Sequence, residues 1–390
     1  MGLIYLDNNA TTRIDDRVLD CMLPYLRDSY GNASSLQHRI GREAHSAVER
    51  AREQVAEKLH VKENEISFCS GATEAINMVL KGITQAYASK GKHIITCETE
   101  HQAVLNACKQ LAKTGTEISY LKVNKEGQID LSALQELMRE DTILVCLMAA
   151  NNETGLLHPL AEIAALCQEK EVLFFSDATQ LIGKQEINLA EIPIDILALS
   201  AHKFHGPKGV GALFVRRKRK PIQIPALIAG GNQERALRAG TLNVPGIVGL
   251  GKAIELAKLP SLIKDYRDYL EKQIIAHVPE VIVHAQSAPR LSNCSSIAFR
   301  HIKSAEIMSA LPHIALAAGS ACASGLLDPS HVLKAMHFSD EDAFSTVRIS
   351  LSRFTQQAEI EQASTAIIQA VAEIRSMSPI WSLYLDGSIE

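Results

Sequence analysis

Between residues 66 and 200, short apolar runs alternate with stretches of helical patterning: ISF at 66, HIITC at 93, ILVCLMA at 143, VLFFS at 172 and IDILALS at 194. Strands separated by helices pair in parallel through crossovers, so the alternation predicts a mostly parallel sheet with helices on both faces. GVGALFVRR, after the turn FHGPKG, returns as an antiparallel strand. Ahead of the sheet, Ala44, Ala47, Val48, Ala51, Val55 and Leu59 recur at a helical period that begins at Ile40. Past about residue 255 the texture changes to a long helix through LIKDYRDYLEKQIIAHV, short strands in VIVHA, SSIAFR and TVRISLS, and a final helix with Ile360, Ala363, Ile367, Val371 and Ile374 on one face. The 390 residues, 46% of them hydrophobic, suffice for two domains. The expected division is a large domain over 15–255 and a smaller α+β domain made of 1–14 and 256–390.

Lys and Arg number 40 against 44 Asp and Glu, a net charge of -4, which gives no general reason to bind nucleic acid or an anionic membrane. The basic run RRKRK at 216–220 reads as a solvated turn before Pro221. No apolar stretch approaches the roughly 18 residues that span a bilayer, and the start MGLIYLDNNA has neither a basic region nor an apolar core, so a cytoplasmic protein is expected. The eight cysteines are scattered without C-x-x-C or Cys/His spacing, which predicts no disulfide framework and no metal site. Cys97, Cys146 and Cys167 sit in apolar or helical surroundings as small buried thiols, whereas Cys322 stands in the flexible setting AAGSACASG.

Ligands of open α/β sheets bind beyond the carboxyl ends of the strands. ISF is followed by CSGATEA, a small-residue turn into a helix whose N–H groups and Thr73 hydroxyl suit a phosphate. HIITC leads to His101, ILVCLMA to Asn151 and Asn152, VLFFS to Asp177 and Gln180, and IDILALS to Lys203, with Lys208 beyond it. Each alone has a bland reading as a cap, a structural histidine or a solvated cation. Together they match pyridoxal phosphate. Its aldehyde needs a lysine amine, its phosphate needs hydroxyls and a helix N-terminus, and its ring nitrogen needs a carboxylate to stay protonated. Lys203, Thr73 and Asp177 meet those needs, and His101 is the candidate to stack on the ring.

YLDNNATT at 5, YGNASS at 30, SGATEA at 70, ETEH at 98, NNETG at 151, DATQ at 177, SAHKFHGPKG at 200, RAGT at 238, GSACAS at 319 and RISLSRFT at 348 closely resemble, in order along nearly the whole chain, cysteine desulfurases of the NifS/IscS type. The resemblance implies pyridoxal-phosphate fold type I, aspartate-aminotransferase-like, with a large mostly parallel seven-stranded sheet domain and a homodimer as the active unit. It implies that Lys203 carries the cofactor, Asp177 pairs with the ring nitrogen, and His101 stacks on the ring and shuttles protons. Asn152 and Gln180 would contact the ring, Ala72, Thr73, Ser200 and His202 would hold the phosphate, and Thr241 would reach across the dimer. Arg353 would clamp the carboxylate of L-cysteine beside Asn152, and Cys322, on a mobile loop at about 319–330, would accept the sulfur as a persulfide for an acceptor protein such as an iron–sulfur scaffold. Asn232, Ala236 and Ala239 stand where that family often has Gly, Gly and Ser. A selenocysteine lyase and a non-catalytic sulfur-transfer platform of the same fold are the alternatives.

Overall fold

The apolar runs become strands close to where the sequence puts them. A computed structural model describes residues 2–318 and 328–388. The chain begins with β1 (Ile4–Tyr5), α1 (Asp16–Arg27) and α2 (Arg39–Leu59). It continues through β2 (Ile66–Cys69), α3 (Ala72–Ala86), β3 (His93–Cys97), α4 (Gln102–Ala112) and β4 (Glu117–Leu121). Next come α5 (Leu131–Leu137), β5 (Thr142–Cys146), α6 (Leu160–Glu169), β6 (Leu173–Asp177), β7 (Ile196–Ser200) and β8 (Gly211–Val215). These strands form a seven-stranded sheet in the order β2-β8-β7-β6-β5-β3-β4. Only β8 runs against its neighbours β2 and β7, as the sequence predicts.

Adjacent strand residues serve opposite faces. Ile94, Leu144, Phe175 and Ile196 pack under α3 and α4 with Ile76, Val79 and Val104. Ile95, Val145, Phe174 and Leu197 pack on the other face with Val48 and Val55 of α2, Ile163 of α6, and Ile247 of α7 (Val244–Glu255). Each side chain buried this fully contributes roughly 1.5–3 kcal/mol, so the core fixes the sheet and with it the positions of the strand ends. The edge strand β4 escapes the sequence reading because EISYL is exposed or half-buried over four of its five residues and carries no apolar run.

The rest of the chain comprises α8 (Leu262–His277), β9 (Val281–Val283), β10 (Cys294–Phe299), α9 (Ser304–Ala310), β11 (Ile314–Ala315) and β12 (Ala317–Ala318). After the undescribed stretch follow α10 (His331–Ala335), α11 (Asp340–Phe344), β13 (Thr346–Ser350), α12 (Gln357–Ser376) and α13 (Pro379–Leu385). β12-β13-β10-β9 form an antiparallel sheet, and β1 pairs in parallel with β11. Ile4 and Leu6 enter a separate apolar cluster with Leu270, Ile297, Ile349 and Ile367. The first residues of the chain are thereby tied to its last third, and Asp7 bridges to Ser350. Among the described residues no helix is long and apolar enough to cross a membrane, and no acidic, histidine and cysteine cluster could hold a metal ion.

A strained turn lies at one edge. Glu234, Arg235 and Ala236 are all left-handed, at φ 46, 59 and 62. The buried carboxylate of Glu234 holds them there by accepting from Arg52 Nη1 and Nη2 and from Phe68 N, each at 2.8 Å. Ala236 is one of the positions where glycine was expected, and glycine would adopt this φ without the Cβ penalty.

Candidate active site

The carboxyl ends of β2, β5, β6 and β7 converge on one cavity of ≈ 560 Å³. Its lining includes Ala72, Thr73, His101, Asn152, Asp177, Gln180, Ser200, His202 and Lys203, so nine of the residues expected from sequence are brought together. Lys208 also lines it.

At the end of β2 the chain turns through Gly71, at φ 150, into α3. No side chain caps this helix, so its first-turn N–H groups, those of Ala72 and Thr73 at the cavity wall, are free to meet an anion. A Cβ at residue 71 would lie 3.4 Å from Ser200 Oγ, and one on Gly211 would lie 2.7 Å from Gly71 Cα. Those glycines let β7, β8 and the α3 entry approach closely enough to form a cradle. His202, whose Nδ1 lies 3.1 Å from Thr11 Oγ1, is pushed down to a pKa of about 4 by burial, then by Lys203 and Lys208. At neutral pH it is a neutral hydrogen-bonding group.

Asp177 is the last residue of β6 and is buried. Thr179 N donates to its Oδ1 at 2.9 Å, and Oδ2 has no partner among the described residues. Thr179 Oγ1 is buried at the same wall with no partner among the described residues. Lys203 ends the short helical turn after β7, and its Nζ donates to the carbonyls of Asn9 at 2.7 Å and Ala10 at 2.8 Å. Burial first, then Arg348, lowers its pKa to about 8, so the neutral amine is more accessible near neutrality than in an ordinary lysine, although the cation still predominates. His101 caps α4 through Nδ1, which accepts from Ala103 N at 3.1 Å. A neutral ring therefore carries its proton on Nε2. Desolvation is the largest influence on it and Lys203 acts in the same direction, so its pKa lies below the ordinary histidine value despite the opposing pull of Asp177.

Arg353, expected from sequence to clamp the substrate carboxylate, does not line this cavity. Its Nη2 is paired with Asp15 and its Nη1 donates to Leu256 O at 2.9 Å. It lines a void of ≈ 20 Å³ behind Lys203, space for a water and not for an amino acid. The guanidinium in the cavity belongs to Arg348, on β13 of the small sheet. Its Nη2 meets Asp7 Oδ1 at 2.7 Å, its Nη1 donates to Asn152 O at 2.9 Å, and its buried Nε has no partner among the described residues. The two arginines are five residues apart, but Arg348 is held in a strand whereas Arg353 follows it in a turn closed by Ser352 N on Thr355 Oγ1 at 2.9 Å. Thr241 is exposed and does not line the cavity of its own chain, and Cys322 lies outside the described residues.

Asp7, Asn9, Ala10 and Arg348 had been given no role from sequence. The stretch YLDNNATT was visible as a motif, but nothing local shows that residues 7–10 lie against β13 and Lys203.

The residues present fit pyridoxal phosphate: an uncapped helix start beside hydroxyls for its phosphate, an unpaired carboxylate oxygen for its ring nitrogen, and a desolvated lysine for its aldehyde. Comparisons with known proteins point to the same cofactor. Residues 4–363 match the family model for class-V aminotransferases. Over 389 residues the chain is 43% identical to the cysteine desulfurase IscS of Anaeromyxobacter sp. (strain Fw109-5), covering 98% of this chain and 96% of that one. Over the same length it is 40% identical to the cysteine desulfurase of Mus musculus, covering 98% and 84%. A solved NifS-like protein superimposes with a TM-score of 0.87 at 36% identity, covering 95% of this chain and 100% of the other. With the lysine, the aspartate and the uncapped α3 start in one cavity and relatives matched over 98% of this chain, the chain belongs to the class-V aminotransferase family, among its pyridoxal-phosphate-dependent cysteine desulfurases.

Proposed function

We propose that the chain takes the sulfur from L-cysteine onto Cys322, with Lys203 holding the cofactor and L-alanine as the co-product. The observation that carries this reading is the convergence of Lys203, Asp177 and the α3 N-terminus on a single cavity. When bound, pyridoxal phosphate supplies an electron sink that activates the bonds at the α- and β-carbons of an amino acid. Asp177 would keep the ring nitrogen protonated, and Ala72, Thr73, Ser200 and His202 would hold the phosphate. Gln180 and Asn152 contact the ring. Lys203, with its lowered pKa, would hold the aldehyde and, as a free amine, would be placed to move the α-proton, and His101, whose pKa lies below the ordinary histidine value, would lie against the ring and relay protons.

Arg348 binds the substrate carboxylate in place of Arg353, with Asn152 beside it; its position in the cavity lining, which Arg353 does not share, supports this assignment. The Cys322 thiolate then attacks the substrate sulfur. A new S–S bond forms as the Cβ–S bond breaks, the electron pair passes to carbon, and a proton reaching Cβ completes alanine. One cysteine and one enzyme thiol thus give alanine and a persulfide without an external oxidant.

Further parts of the reading concern assembly. Exposure of Thr241 supports a homodimer in which it completes the site of a second subunit. The separate apolar cluster around Leu6, Leu270 and Ile349 supports the division into a large domain, 15–255, and a small one, 1–14 with 256–390. A protein acceptor, an iron–sulfur scaffold among them, would discharge the persulfide. The seven described cysteines are all free thiols, which agrees with a reducing cytoplasm. The test is Cys322→Ala: the protein should bind the cofactor, change its visible absorbance on addition of cysteine, and form no persulfide. Alanine formation at the native rate by that variant would overturn the role given to Cys322.

A further inference from the structure

The charged groups at the back of the cavity include one amine that the reaction above leaves unused. Lys184 lies four residues beyond Gln180, and its Nζ is enclosed by protein. It donates to Asn9 Oδ1 at 2.8 Å and to Gln180 Oε1. A lysine that merely filled space would extend its stem along the surface and keep its head in water. This one turns inward, and both of its acceptors touch the machinery. Gln180 lines the cavity, and with its oxygen held by Lys184 its Nε2 donates to Asn9 O at 2.9 Å. That same Asn9 carbonyl receives Lys203 Nζ at 2.7 Å. Asn9 is fixed at its other atoms as well: its N donates to Ser350 Oγ at 2.9 Å, and Oδ1 also accepts from Asn293 Nδ2 at 3.3 Å.

We infer that Lys184 is a positioning residue for the cofactor lysine: it pins the side chains of Asn9 and Gln180 so that Gln180 presents N–H, not oxygen, to the cavity while the Asn9 carbonyl stays on Lys203. A second consequence is electrostatic. Burial first, then Lys203, lowers the Lys184 pKa to about 7, so near neutrality part of the population places a second cation behind Lys203. Asp7, Asp177, Arg348, His101 and His202 also face Lys203, while Arg348, Cys294 and His205 face Lys184. None of these takes over the two contacts to Asn9 Oδ1 and Gln180 Oε1. The inference rests on the reading of Lys203 as the residue that carries the cofactor.

The experiment compares wild type, Lys184→Met, Lys184→Gln, Lys184→Arg and Lys203→Ala as cofactor-loaded proteins without cysteine. The visible absorbance is titrated against pH, and thermal unfolding is recorded alongside. Lys184→Met should load and stay folded, and its midpoint should rise by about one pH unit, because removing a neighbouring cation and a fixed donor favours the protonated nitrogen at Lys203. Lys184→Arg should restore the wild-type midpoint, and Lys184→Gln, a donor without charge, should fall between. A wild-type midpoint in Lys184→Met overturns the inference. If the Met protein does not load, a wild-type midpoint in the Gln protein overturns it equally. Failure of the underlying reading shows separately, as a Lys203→Ala protein that still carries the titrating visible band.

Discussion

One wall of the cavity consists of loops that leave parallel strands at their carboxyl ends; the other is donated by Asn9 and Ala10 together with Arg348 of β13, the strand to which Asp7 bridges at Ser350. Asp177 ends its strand and Lys203 follows β7 by one short turn, so each inherits its place from a core strand buried on both faces. In the second wall nothing is placed by its own strand alone. Asp7 meets Arg348 across 341 positions of sequence, and Asn9 N meets Ser350 Oγ across the same interval. The first wall is set once the large sheet forms, whereas the second exists only after the chain's beginning has docked on its last third. The groups proposed to hold the cofactor lie mainly in the first wall, and the group proposed to grip the substrate lies in the second.

The sharpest way to break this contrast is Lys203→Ala, which should abolish the visible band and reduce alanine formation by roughly 10⁴-fold, the upper range for loss of a positioned proton-transfer group. Comparable damage confined to KM would place Lys203 with the substrate wall instead.

Arg348→Ala should leave the cofactor bound and lower kcat/KM about 100-fold, chiefly through KM, as expected for loss of a charge-assisted contact worth roughly 1.5–3 kcal/mol. Titrating cysteine against the visible spectrum measures the binding loss directly. Should Arg353→Ala give this result while Arg348→Ala stays near wild type, the sequence-based assignment would be restored.

Arg353→Ala should instead lower stability by about 2 kcal/mol, since it breaks one of the two ion pairs that hold the buried Asp15 carboxylate, the other being with Arg17. Asp15 has its pKa lowered, by Arg17 first and by Arg353 as a further cause. Its stabilising contribution is therefore present above the ordinary carboxylate range and is lost as pH falls through the depressed folded value. Urea midpoints at pH 7 and pH 4 should both fall in the variant, with turnover per folded molecule changing less than about tenfold.

The smallest effect concerns neither wall. Ala236→Gly should raise stability by about 1 kcal/mol by relieving a left-handed alanine, read as a higher thermal midpoint. A loss of stability would mean that the Glu234 anchor tolerates Cβ at no cost and that chain entropy dominates.

The sequence by itself determined the strand-and-helix alternation, the antiparallel return of β8, and the small and polar residues at the strand ends. Those features repeat locally, and burial translates them directly into a sheet with a functional edge. The half-exposed strand β4 and the role of YLDNNATT were not legible, the first because an edge strand lacks an apolar run, the second because its partners lie some 340 positions away. Only the tertiary structure separated Arg348 from Arg353 in space, two arginines in one motif that share a residue type but not a direction. Packing sends one to the cavity beside Asp7 and the other to Asp15 behind Lys203, and only packing turns Lys184 inward onto Asn9 and Gln180. Side-chain direction at the end of a strand depends on what the strand docks against, and that information is spread over the whole chain.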